Sequence, residues 1–151
     1  KLQYKTVITV CSLIALSSVM DFSGMIAILG LALAYLTGSL YPLFAPTVGC
    51  LGTFLTGSDT SSNILFGKLQ ASVAHATGAD PSWLAAANTA GATGGKIISP
   101  QSIAVATSSC GLQGQEGAIM KKAIPFALMY IAVARLMVYF LPKIMGSLIA
   151  G

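Results

Sequence analysis

Two polar stretches in an otherwise apolar chain carry the side chains able to act on a solute. The first is Gly57-Ser58-Asp59-Thr60-Ser61-Ser62-Asn63. It concentrates hydroxyls, an amide and a carboxylate, a set that binds a small polar molecule and can exchange a proton. The second is Lys96-Ile97-Ile98-Ser99-Pro100-Gln101-Ser102, preceded by Asn88-Thr89. It adds an ammonium, more hydroxyls and more amides. Asp59 is the candidate for proton or cation coupling. A plain helix N-cap is the simpler reading, but one cap needs one side-chain oxygen and this stretch supplies many. Lys96 is the candidate countercharge for a substrate carboxylate or for Asp59; the simpler alternative is a lysine snorkelling to an interface. Ser58, Thr60, Ser61, Asn63, Asn88, Thr89, Ser99, Gln101 and Ser102 complete the candidate substrate-binding set.

Other chemistries fit poorly. The run Gly91–Lys96 resembles a phosphate loop, but Ala90 stands where that loop needs its first glycine and Ile97 where it needs Ser or Thr. The polar segments contain no His/Cys cluster, nucleophile elbow or Ser-x-x-Lys arrangement, so nothing points to an enzyme. Cys11, Cys50 and Cys110 lie far apart, without metal-ligand spacing, and read as small buried packing residues. No cofactor or metal is expected.

Composition fixes the surroundings. The 151 residues are 55% apolar and 8% charged, and the mean hydropathy is +0.81. That belongs to a bilayer protein. The formal charge of +4 comes from scattered basic residues that make no stripe for nucleic acid. Lys1, Lys5, Lys121, Lys122 and Lys143 flank apolar runs, as interface anchors do. In a bilayer, polar backbone and ionisable groups at depth persist only inside protein or beside a wet cavity. The two polar stretches therefore read as a binding place. The chain starts at Lys1 without an initiator Met and reads as a fragment of a longer membrane protein.

Five apolar units must position these groups. The first spans about 6–20 and the second about 25–40, with Asp21–Gly24 between them as either a pathway-lining break or a plain loop. Tyr41-Pro42 and Pro46 are expected to end the second unit. The third is discontinuous: an apolar segment at 47–56, the polar knot, then a helix resuming over 64–76. Ser58, Asp59 and Thr60 are its N-cap candidates, Gly78 its stop and Ser82 the next cap. The fourth repeats the design: 83–89 apolar, 90–95 small and flexible, then the Lys96–Ser102 cluster and an apolar stretch to Cys110. Ser99 followed by Pro100 is a helix start. The fifth runs over 119–141, stopped by Pro142. His75 reads as a helix-end histidine and Arg135 as a structural charge. Gly91 and Gly95 form a small-xxx-small pair for close helix packing.

Two successive broken helices are the pattern of a secondary transporter, whose half-helix N-termini face an anionic substrate near the midplane. This defines an all-α, polytopic membrane bundle with discontinuous helices, one membrane domain over 1–151. It does not name the solute.

Longer motifs do. Leu55-Thr56-Gly57-Ser58-Asp59-Thr60-Ser61-Ser62-Asn63, Ala86-Ala87-Asn88-Thr89-Ala90-Gly91 and Gly95-Lys96-Ile97-Ile98-Ser99-Pro100-Gln101-Ser102-Ile103-Ala104 resemble the C-terminal signature of the L-lactate permease family. The resemblance runs from Phe22-Ser23-Gly24-Met25 to the last apolar helix. It implies a multi-pass symporter of the bacterial cytoplasmic (inner) membrane, carrying lactate and related 2-hydroxy monocarboxylates such as glycolate with protons. It further implies re-entrant hairpins and the C-terminal repeat of an inverted-repeat transporter. The partners it implies are the remainder of the transporter chain and membrane lipid, with an oligomer left open. Asp21 departs from the family pattern, which carries Asn there. Two alternatives stand beside this reading: a transporter of another small anion such as a dicarboxylate, and a segment that is only structural by itself.

Overall fold

The computed structural model describes residues 11–12, 15–16, 18–20 and 22–149, and all regular structure among them is helical. Asp21, together with Lys1 and Lys5, lies outside the described residues. Helix α1 spans Met25–Thr37 and a 3-10 turn spans Gly38–Leu40. Then follow α2 (Tyr41–Thr56), α3 (Asp59–Thr77), α4 (Pro81–Ile98), α5 (Pro100–Ser109) and α6 (Glu116–Ile149).

Prolines act differently from the sequence expectation. Tyr41-Pro42 opens a helix rather than closing one, because the first turn needs no intrahelical N–H from proline. Pro46 then sits inside α2. It removes one N–H from the ladder, and neighbouring carbonyls take side-chain donors. Arg135 Nε donates to Leu43 O at 2.6 Å, and Gln70 Nε2 to Ala45 O at 3.2 Å. Arg135 also lies 5.4 Å from the Phe44 ring centroid, so it ties α6 to α2. Pro142 does not stop α6, which continues to Ile149. At about 1.5 Å per residue its 34 residues rise about 51 Å.

The cap after Gly78 also differs. Asp80, not Ser82, caps α4: its carboxylate accepts from Ser82 N at 2.7 Å and Trp83 N at 3.2 Å, with Pro81 at the first helical position. The stretch 90–95 is continuous helix, not flexible chain.

Glycine contacts explain that rigidity. A Cβ on Gly91 would strike the backbone of Pro46, one on Gly95 the backbone of Cys50, and one on Gly49 the backbone of Asn88. Helices α2 and α4 therefore run side by side at backbone distance, and the matched steps 46–50 and 91–95 make them parallel. Helix α3 runs back against α2, since Gly52 faces Ser62 and Phe66 while Tyr41 reaches Gln70. The core that locks α1 to α4 includes Ile26, Tyr41, Leu69, Val73 and Leu84. Trp83 Nε1 donates to Val138 O at 3.0 Å and fastens α4 to α6. Cys50 is buried as expected, but Cys11 and Cys110 are exposed.

Large apolar side chains face outward. Leu31, Tyr35 and Leu36 on α1 and Phe126, Leu128 and Met129 on α6 are all more than half exposed. Two stretches, Met25–Thr56 and Glu116–Ile144, are long and apolar enough to cross a membrane. Helix α5, with 10 residues, rises only about 15 Å, half of a ~30 Å hydrocarbon core.

Candidate functional site

Both breaks fall where the sequence puts them, but each is shorter than the polar stretch around it. The first is confined to Gly57 and Ser58. Gly57 adopts φ 71°, a left-handed conformation that glycine tolerates, and its N–H closes α2 on Thr53 O at 2.7 Å. Ser58 is extended and caps α3, its Oγ accepting from Ser61 N at 3.3 Å. Residues 59–63 are therefore already helical, contrary to the expected start at Ile64. The second break is Ser99, also extended, with Pro100 opening α5.

The two breaks meet. A Cβ on Gly57 would strike the side chain of Gln101. Register agrees: Pro46–Gly91 and Cys50–Gly95 contacts, continued one turn, bring Phe54 level with Ser99. The end of α2, the start of α3, the end of α4 and the start of α5 thus share one level of the bundle.

Polar atoms at this level lack protein partners. Ser99 is fully buried, stands at the N-cap position, and makes no capping bond; its Oγ has no hydrogen-bond partner. Asp59 Oδ1 is buried without a partner, as is Thr53 Oγ1 one turn before Gly57. Buried polar atoms are normally satisfied, so three such oxygens at one level mark it as a place for a polar partner; a fourth, Thr47 Oγ1, lies lower in α2. The first N–H groups of a helix have no intrahelical acceptor. In α5 the N–H groups of Gln101 and Ser102 are of this kind. In α3 they are those of Asp59 and Thr60; Ser61 N–H is taken by Ser58 Oγ, and Ser62 N–H bonds Ser58 O at 3.0 Å.

Other candidates collect in a second layer. Asn63 Oδ1 accepts from Asn88 Nδ2 at 2.8 Å and from Thr89 Oγ1 at 3.2 Å. Asn88 is fully buried, Asn63 half-buried and Thr89 exposed. Asn88 and Ser99 are 11 residues apart on nearly continuous chain, about 16 Å along a helix axis. Lys96 is exposed in the last turn of α4, where its charge complements the helix dipole. Thr89, Thr93 and Lys96 are all exposed and recur at i, i+4 and i+7, so they form one polar stripe on α4.

Sequence reading misses Tyr41, Thr53, Gln70 and Thr93. Gln70 is fully buried, bonded to Tyr41, Ala45 and Asn88. Its one mark in the sequence is being the single amide in the helical run 64–76, beside Lys68, Ser72 and His75, and that does not show its partners. The other assigned groups behave simply: His75 is exposed in the last turn of α3. Among the described residues no group of His, Cys, Asp and Glu could hold a metal ion.

The described residues form a helical bundle with apolar outer faces and two chain breaks abutting at one level, consistent with a membrane helical bundle. The particular family follows from comparison. The L-lactate permease family profile matches residues 1–145, and the chain belongs to that family. It is 47% identical over 122 residues to an L-lactate permease of Bacillus subtilis, covering 81% of this chain and 22% of that protein. It is 43% identical over 127 residues to the glycolate permease GlcA of Escherichia coli K12, covering 84% and 22% respectively. An L-lactate permease of Streptococcus iniae is 52% identical over 82 residues, 54% of this chain and 17% of that protein. The chain thus spans about a fifth of the length of these curated relatives. No solved structure matches it significantly.

Proposed function

We propose that this chain forms part of a secondary active transporter that carries lactate and related 2-hydroxy monocarboxylates, including glycolate, across the bacterial cytoplasmic membrane together with protons. The observation that carries the site model is the contact between the two breaks, Gly57 against Gln101, beside the unpartnered Ser99 Oγ and Asp59 Oδ1. Family membership, with lactate and glycolate permeases among the relatives, supplies the substrate class.

In this reading the carboxylate sits at the start of α5, taking hydrogen bonds from Ser99 Oγ and the N–H groups of Gln101 and Ser102. The partial positive end of the helix stabilises its charge. The side chains of Ser58, Thr60, Ser61 and Gln101 line the level of the breaks. Lys96 supplies a full positive charge from the polar stripe that also holds Thr89. Asn63, in the layer below the breaks with Asn88 and Thr89, donates to the anion's oxygens as it passes along that stripe to or from the site. Asp59 alternates between carboxylate and acid as the coupling group: protonated, it no longer repels the substrate's negative charge. The remaining transporter chain faces this surface, and the fold is one repeat of an inverted pair.

Lys96→Ala tests the site directly. A charge-assisted hydrogen bond contributes about 1.5–3 kcal/mol, so KM for L-lactate is expected to rise about tenfold or more in a transporter of full family length. Membrane abundance should stay unchanged, because Lys96 is exposed. Uptake kinetics in vesicles give the answer; a normal KM at normal abundance contradicts the site model.

A further inference from the structure

We infer that Gln70, buried and remote from any substrate, is a positioning residue that fixes which end of the Asn63 amide faces the transport pathway. The inference rests on the proposed transport reading only for the identity of the substrate.

Each link in the buried network has a defined direction. The backbone carbonyl of Ala45 can only accept, so the group of Gln70 that meets it at 3.2 Å is the NH2 end, Nε2. Gln70 Oε1 then faces Tyr41 and accepts its hydroxyl at 3.0 Å. The second hydrogen on Gln70 Nε2 goes to Asn88 Oδ1 at 3.1 Å. This leaves Asn88 Nδ2 pointing onward, and it donates to Asn63 Oδ1 at 2.8 Å. Thr89 Oγ1 lies 3.2 Å from the same oxygen and also 3.2 Å from Ala85 O, so its single hydrogen is shared between two acceptors and the Asn88 donor carries the orientation. Among the described residues, Asn63 Nδ2 has no protein acceptor, and it is not a buried orphan.

Tyr41, Gln70 and Asn88 are each fully buried, so no water offers these amides an alternative arrangement. A flip at any one link opposes two oxygens or two NH2 groups at the next. Asn63 is the half-buried end of the chain, and its two N–H donors are turned outward. It stands one helical turn after Asp59, at i+4, on the same face of α3. A carboxylate only accepts hydrogen bonds. An outward NH2 suits an anion, and an outward carbonyl repels it.

The test uses a transporter of full family length and two readouts. In Asn88→Asp the new carboxylate still accepts from Gln70 but has no hydrogen to give. Asn63 then turns its NH2 inward and presents its oxygen, and KM for L-lactate is expected to rise at least tenfold with kcat within about threefold. Gln70→Leu, which keeps the site uncharged, removes the directing donor and should also raise KM. If either variant is folded and leaves KM within twofold, the inference is overturned.

The second readout needs no substrate. In selectively 15N-labelled protein, with the Asn63 signal identified by its loss in Asn63→Ser, the Asn63 NH2 should exchange with water quickly and that of Asn88 slowly. Equal protection of the two in the unmodified protein overturns the orientation, whatever the variants do. If the unmodified transporter moves no lactate yet shows the expected exchange order, the substrate reading fails and the orientation stands.

Discussion

Asp59→Asn is expected to abolish proton-driven accumulation of lactate while sparing lactate exchange across the membrane. With one proton per anion, an inward gradient of one pH unit supports about tenfold accumulation, since one unit is worth about 1.36 kcal/mol. The variant should equilibrate instead, at a ratio of about one. The reason lies in how the acids are used. Asp80 caps α4, with bonds to Ser82 N and Trp83 N. Glu116 accepts from Thr107 Oγ1 and Gly114 N, both at 3.1 Å, and fastens the turn before α6. Asp59 has a buried carboxylate oxygen with no partner, next to the break. Asn preserves its size and its place in the first turn but carries no exchangeable charge. Counterflow of labelled lactate separates binding from coupling. Full gradient-driven accumulation by the variant would assign coupling elsewhere.

Gly91→Val should have the largest structural effect. The added carbons meet the backbone of Pro46, which cannot move aside as a flexible side chain would. Overpacking of a filled core costs about 1–3 kcal/mol, occasionally more, and a backbone neighbour puts this site at the upper end. The same contact holds the α2–α4 register that brings Ser99 level with the end of α2, so a surviving fraction should also lose transport. Gly67→Ala is the matching control: a Cβ there meets nothing within 4 Å, and replacing a helical glycine by alanine is favourable by roughly 0.5–1 kcal/mol. Thermal unfolding in detergent compares the two. If Gly91→Val melts with the unmodified protein, the backbone-distance packing of α2 on α4 is wrong.

Much of the framework is legible in the residues themselves. Gly57-Ser58 and Ser99-Pro100 mark the two breaks because a left-handed glycine, an extended serine and an N1 proline each have a local conformational cause. The small-xxx-small pair Gly91 and Gly95 likewise announces close packing. The failures share a different cause. Residues 59–63 look like loop because hydroxyl side chains compete with the backbone, yet once Ser58 caps the first turn they continue as helix. The stretch 90–95 looks flexible because glycine is permissive alone; here α2 presses its backbone against it. Pro46 and Pro142 look like stops, but side chains from other helices take carbonyls in the turn before each, Arg135 at Leu43 O and Trp83 at Val138 O. Asp80 as the cap was readable, since proline favours the position directly after one. Gln70 was not, because its partners Tyr41, Ala45 and Asn88 lie 18 or more residues away.

The most direct test of the central claim is uptake of labelled L-lactate by proteoliposomes holding a transporter of full family length with this segment. With an inward proton gradient, lactate is expected to accumulate, the accumulation to collapse on adding an uncoupler, and glycolate but not succinate to compete. Folded protein that takes up no lactate, or takes it up equally with and without the gradient, would contradict a proton-coupled 2-hydroxy monocarboxylate transporter.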